Sequence, residues 1–267
     1  EIQASDWSSD VCSSDLGGFV LLTGEVGTGK TTVSRCLRQQ LPEDTDLALV
    51  LNPTLTEREL MASICDEFKL AYTAEAGIKE LFDLLRDYLL ANRAAGRKTL
   101  LLIDEAQHLS AEVLEQLRLL TNLETDDAKL LQVVLIGQPE LQQLLRQPLL
   151  RQLAQRITAR YHLLPLSRDD VDAYVRFRLQ VAGCVQPIFT PVAIRALHRL
   201  SGGIPRIINL IAERALLGAY AEGQAKISDK VVVQAAYDAM GVQDKGTSGW
   251  GVAAFALCGL LMLGAGW

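Results

Sequence analysis

Residues 24–31 read GEVGTGKT and match the pattern G-x-x-x-x-G-K-[ST] in full. Glycines in such a run let the backbone curl until successive N–H groups point at phosphate oxygens. The helix expected behind it adds the positive end of its dipole. Gly24, Glu25, Val26, Gly27, Thr28, Gly29, Lys30, Thr31 and Thr32 are therefore the expected phosphate cradle. Lys30 would reach the β- and γ-phosphates, and the Thr31 hydroxyl would bind Mg²⁺. Downstream, residues 100–105 read LLLIDE, an apolar strand ending in two carboxylates. Asp104 suits the water shell of Mg²⁺, and Glu105 is placed to orient and deprotonate an attacking water. Alone, such an acidic pair is as well read as a solvated strand end. Paired with the Lys30 loop, it points to phosphoryl transfer to water.

These residues need a frame of strands and helices. The apolar runs 19–22, 47–51, 99–103 and 131–136 read as buried strands. Helices are expected over 30–40, 57–70, 78–92 and 111–121. Thr56 and Glu59 have the spacing of a capping box, and Ile78, Leu81, Phe82, Leu85 and Leu89 form a core-facing stripe. Uniformly apolar strands separated by helices indicate a parallel sheet covered on both faces. From Ser167 onward only helices are expected, over 167–182, 190–200, 205–221 and 228–240. The spacing thus predicts an α/β nucleotide-binding domain over 17–165 and a helical lid over 166–240.

Both ends stand apart. Residues 1–16 repeat Ser-Ser-Asp and are expected to be a disordered or artefactual leader. Residues 241–249 read as a linker. Residues 250–267, WGVAAFALCGLLMLGAGW, carry no charge, and as a helix they would span roughly 27 Å, about one bilayer core. Tryptophans at both ends suit the interfaces, so a transmembrane helix is expected, a buried C-terminal helix being the alternative.

Composition narrows the class further. With 49% hydrophobic and 22% charged residues, the 267-residue chain is not globally disordered. A net charge of −6 argues against a protein built to coat nucleic acid. The 5 cysteines are scattered and read as reduced thiols, without a zinc site, in a cytoplasmic body.

The stretches GGFVLLTGEVGTGKTT (17–32), IDEAQHLS (103–110), LRLLTNLETDDAKLLQVVLIGQPEL (117–141) and SGGIPRIINL (201–210) resemble AAA+ ATPases. Within them, the chain resembles the protein A, or ExeA-like, ATPases of the general (type II) secretion pathway. The resemblance covers roughly 17–267 and implies a P-loop NTPase (AAA+) fold and ATP with Mg²⁺ as cofactors. It makes Gln138 a sensor near the γ-phosphate, or else a turn residue before Pro139. Asn52 becomes a switch residue for Glu105, or an ordinary Asn-Pro turn. Arg206 would be a lid arginine reaching the nucleotide, or a surface arginine. Among Arg151, Arg156 and Arg160, Arg156 best fits an arginine finger acting on a neighbouring subunit. The alternative is three arginines on a solvated helix face.

The same resemblance implies a homo-oligomer at the bacterial inner membrane, single-pass, with its ATPase domain cytoplasmic. It also implies a membrane partner in the secretion apparatus and peptidoglycan binding through a C-terminal region absent from this chain. No nucleic acid is expected. A related pilus-biogenesis ATPase, a DNA-associated AAA+ protein such as a transposition helper, and a non-hydrolysing scaffold are the competing readings.

Overall fold

The structure, a computed structural model, describes residues 18–51, 54–125 and 128–240. The expected leader, linker and transmembrane segment, and Asn52, lie outside the described residues. Among the described residues no helix is long and apolar enough to cross a membrane. The chain divides into two compact units between Pro165 and Leu166.

The first unit is built on five parallel strands. In chain order they are β1 (Gly18–Gly24), β2 (Thr45–Val50), β3 (Lys98–Ile103), β6 (Gln132–Gly137) and β7 (Ile157–Leu163). Their order across the sheet is β2-β3-β6-β1-β7. A short antiparallel pair, β4 (Glu124–Thr125) and β5 (Ala128–Lys129), stands apart from them. Successive side chains of a strand face opposite sides, so each apolar strand feeds two cores. Val20, Leu22, Leu100, Leu102, Val134 and Ile136 pack with Leu37 of α1 (Lys30–Gln40). Phe19, Leu21, Leu101, Ile103, Val133 and Leu135 face the other way. There they meet α2 (Glu57–Glu67), α3 (Ile78–Ala94) and α4 (Ala111–Leu120) through Leu60, Leu85 and Leu117. Helices thus cover both faces, and truncating one of these leucines to alanine costs about 2–5 kcal/mol.

Two expectations need correction. No strand is expected over 157–163, yet β7 forms there and pairs with β1. Its residues alternate between half-buried and exposed, as an edge strand requires, and so lack the uniform apolar run of the others. Arg160 therefore lies on a strand, not on a helix face. Ile78 belongs to the expected core stripe but is 37% exposed, because it opens α3 ahead of the turns that meet the core.

Local chemistry sets the helix ends. Thr56 and Glu59 form a complete capping box before α2. Where β2, α3 and β3 meet at the amino end of the sheet, Asp46 accepts hydrogen bonds from Tyr88 (2.6 Å), Asn92 (2.7 Å) and Arg97. Those donors, Arg97 foremost, pull its carboxyl down to about 2 against the opposing effect of burial.

Among the described residues the second unit holds four helices, α7 (Arg168–Val181), α8 (Pro191–Ser201), α9 (Pro205–Ala221) and α10 (Asp229–Met240). Val171, Leu197, Ile208, Ile211 and Val232 form its core. A capping box of Ser167 and Asp170 starts α7. Between α8 and α9 the run SGGIPR makes a fixed turn. Gly202 and Gly203 have φ of 60° and 76°, and the Gly203 carbonyl accepts from Leu166 N–H at 2.8 Å. A Cβ on Gly203 would stand 2.2 Å from the Leu166 carbonyl oxygen, which no side chain tolerates.

Candidate functional site

The loop between β1 and α1 is shaped by its glycines. Gly27 and Gly29 have φ of 85° and 103°, a left-handed region that a side chain would strain. A Cβ on Gly24 would meet Thr28 Oγ1 at 2.8 Å and Leu163 Cβ at 3.0 Å. Thr28 Oγ1 in turn donates to the Glu25 carbonyl at 2.8 Å and tightens the curl. Glu25, Val26, Thr31 and Thr32 are exposed on the rim.

Lys30 opens α1 but is only 6% exposed. Its ammonium donates to the carbonyls of Gly24 (2.8 Å) and Glu25 (3.0 Å). Both partners are neutral, and among the described residues no carboxylate forms an ion pair with it. A buried ammonium hydrogen-bonded only to carbonyls, beside helix N–H groups that lack intrahelical partners, is a setting that suits an anion.

The carboxylates come from the end of β3. Asp104 N–H continues the pairing with β2 by donating to the Val50 carbonyl at 2.9 Å. Its side chain is 4% exposed; Oδ2 accepts from Thr31 Oγ1 at 3.2 Å, and Oδ1 accepts from Glu105 N–H at 2.9 Å. The two motifs are thus brought into direct contact. Glu105 follows in a left-handed conformation, φ 54°, one of two such non-glycine residues among those described. Backbone strain of this kind gathers at functional sites.

Glu105 Oε2 accepts from the side-chain amides of Gln107 and, at 3.3 Å, Gln138. The Gln107 hydrogen bond, then that of Gln138 and the charges of Lys30 and His108, hold its carboxyl below the ordinary range despite partial burial. Gln107 also accepts the Gln138 backbone N–H through its Oε1 at 3.0 Å. Its part went unread in the sequence. The only trace of it there is its place two residues beyond Glu105.

Beneath the loop, the buried Thr23 hydroxyl is held by Gln142 Nε2 of α5 (Glu140–Leu144) at 2.8 Å and by His162 Nδ1 at 3.0 Å. His162 therefore ties β7 to the end of β1.

Arg151, Arg156 and Arg160 of the first unit are elsewhere. Arg156 follows α6 (Arg151–Gln155), and its carbonyl accepts from Phe19 N–H at 3.1 Å. Since Phe19 pairs with Ile157 and Gly24 with Leu163, Arg156 lies at the amino end of the sheet, roughly 17 Å along β1 from its own loop. Its guanidinium makes no hydrogen bond or ion pair among the described residues. Arg151 is exposed at the start of α6, and Arg160 folds back onto the Ala154 carbonyl at 3.0 Å. Arg206 is exposed in the first turn of α9, in the second unit.

A profile of the AAA domain family matches residues 14–145. The chain is 70% identical over 253 residues to general secretion pathway protein A of Aeromonas hydrophila. That match covers 95% of this chain and 46% of the relative, so the chain spans about half the relative's length. Among solved structures, Cdc6p of Pyrobaculum aerophilum has a TM-score of 0.67 at 17% identity, covering 87% of this chain and 64% of that one. The Aeropyrum pernix ORC2 protein in its ADPNP-ADP complexes gives 0.64 at 17% identity, covering 87% and 66%. The Thermotoga maritima RuvB Holliday junction branch migration motor gives 0.60 at 17%, covering 92% and 72%. At such identities the likeness is one of fold.

Proposed function

We propose that this chain, whose residues 14–145 match the AAA domain family, binds ATP with Mg²⁺ and hydrolyses it to ADP and phosphate. The observation that carries the reading is the contact of Thr31 Oγ1 with Asp104 Oδ2 at 3.2 Å, beside the buried Lys30. Two hard oxygens at the end of a phosphate-binding loop are a donor set that fits Mg²⁺. Thr31 and Asp104 would hold the ion, which when bound neutralises charge on the phosphate oxygens. The backbone of Gly24–Thr32 would orient the triphosphate, and Lys30 would place its charge on the outer phosphates. Glu105 is ionised near neutral pH, as a base must be, and would take a proton from water. Gln138, sharing that carboxylate, would sense the γ-phosphate.

Arg156 cannot serve its own loop from the opposite end of the sheet, so a role in hydrolysis requires a second copy of the chain. This position supports a reading as a homo-oligomer with shared sites, in which Arg156 would act in trans as the finger. Arg206 would add charge from the helical unit. The similarity to general secretion pathway protein A supports a wider role in assembling a type II secretion apparatus. In that role the chain is anchored in the bacterial inner membrane through 250–267, with the ATPase cytoplasmic and a peptidoglycan-binding region belonging to the longer protein.

The test is ATP turnover against protein concentration, alongside ATP binding. Glu105→Gln should retain binding and lose most turnover, whereas Lys30→Ala should weaken both. Turnover by Glu105→Gln equal to that of the parent would remove it as the base.

A further inference from the structure

We propose that Gln107 is a positioning residue for hydrolysis, acting through Glu105. The proposal rests on the reading of Glu105 as the base. Both ends of the Gln107 amide are used: Nε2 donates to Glu105 Oε2, and Oε1 accepts the Gln138 N–H at 3.0 Å. The side chain therefore bridges the end of β3 to the end of β6. Gln138 Nε2 donates to the same Oε2 at 3.3 Å. With one carboxylate oxygen taken by two amides, the other is the oxygen left to face a water. The Glu105 backbone is already set by its left-handed φ of 54°. Fixing Oε2 as well removes most of the rotamers open to the side chain.

Gly137 supplies the room. A Cβ there would stand 2.8 Å from Gln107 Oε1 and 2.9 Å from Leu141 Cδ2. The Gln107 oxygen ends a flexible side chain and can yield, while buried Leu141, whose Cβ would stand at 3.3 Å, must give by a few tenths of an ångström, so Gly137→Ala should push the amide out of its seat. Gln107→Glu makes the complementary change. It keeps the shape and the acceptor for Gln138 N–H, and replaces the donation to Glu105 with a second carboxylate facing it, so the donor is lost and like charges are opposed.

The experiment measures kcat and KM for ATP in the full chain carrying Gln107→Glu, Gln107→Ala or Gly137→Ala, with Glu105→Gln alone and combined with Gln107→Ala. Both Gln107 variants should lower kcat by about tenfold or more while KM stays within about threefold. Gly137→Ala should shift kcat the same way by less. Adding Gln107→Ala to Glu105→Gln should cost nothing further, as expected of residues acting through one group. Normal kcat in Gln107→Glu would reduce Gln107 to a structural spacer. Losses that multiply with Glu105→Gln, or a rise in KM as large as the fall in kcat, would also overturn the proposal. Normal turnover in Glu105→Gln would instead remove the base itself, and the proposal with it.

Discussion

The two ends of the five-stranded sheet use polar residues in opposite ways. At the amino end, Asp46 is closed off by Tyr88, Asn92 and Arg97, and Asn92 also donates to Thr99 at 3.1 Å. Donors and acceptors there satisfy one another and tie β2, α3 and β3 together. At the carboxyl end, Lys30 has only carbonyls, Asp104 holds a single hydroxyl and an N–H, and Glu105 sits on strained backbone. That end keeps charge and hydrogen-bonding capacity in reserve for a ligand. On the proposed function, stability and chemistry are thus divided along the strands of one sheet, with the hydrophobic layers between them.

Arg156 is the exception at the amino end, and it offers the largest test. Arg156→Ala should lower turnover of an assembled form by about 10³–10⁵-fold, the usual worth of an arginine finger. Mixing it with Glu105→Gln should restore part of the activity, because each copy supplies what the other lacks. Without rescue at any ratio, Arg156 joins the structural end and the division becomes complete.

Next in size is Glu105→Gln, expected to lower kcat by about 10²–10⁴-fold with ATP binding retained. Lys30→Ala should weaken ATP binding as well, read by equilibrium titration. Glu105→Gln should lower thermal stability less than Asp46→Asn does, since its carboxyl is the less strongly held of the two.

The smallest effects belong to Asp46. Asp46→Asn should cost about 1–2 kcal/mol, discounted for partial exposure, and lower Tm by a few degrees without changing kcat. Its pH dependence has a definite sign. The folded carboxyl titrates near 2 against an ordinary 3.8, so its contribution is fully present above about pH 5 and fades as pH falls toward 2. The Tm gap between parent and Asp46→Asn should therefore close over that range.

The carboxyl end was the more legible in sequence, because a left-handed turn demands glycines at fixed spacing and a buried strand demands an apolar run before Asp104. The turn SGGIPR was legible only through the family resemblance; the 2.2 Å approach at Gly203 gives the physical reason for its glycine. The amino end left no such mark: Asp46 is 42, 46 and 51 residues from Tyr88, Asn92 and Arg97 and meets them only after the sheet forms. Strand β7 escaped because an edge strand has one wet face, and ITARYHL alternates where its neighbours are continuously apolar. Gln107 escaped because its role depends on the end of β6, a distant strand, arriving beside it.

The division is tested most directly by measuring Tm and kcat together in Asp46→Asn and Glu105→Gln. The account predicts a crossed result, in which Asp46→Asn loses more Tm and keeps kcat while Glu105→Gln loses less Tm and most of its kcat. If both variants lost kcat, or if Glu105→Gln lost more Tm and kept kcat, the assignment of chemistry to the carboxyl end would be wrong.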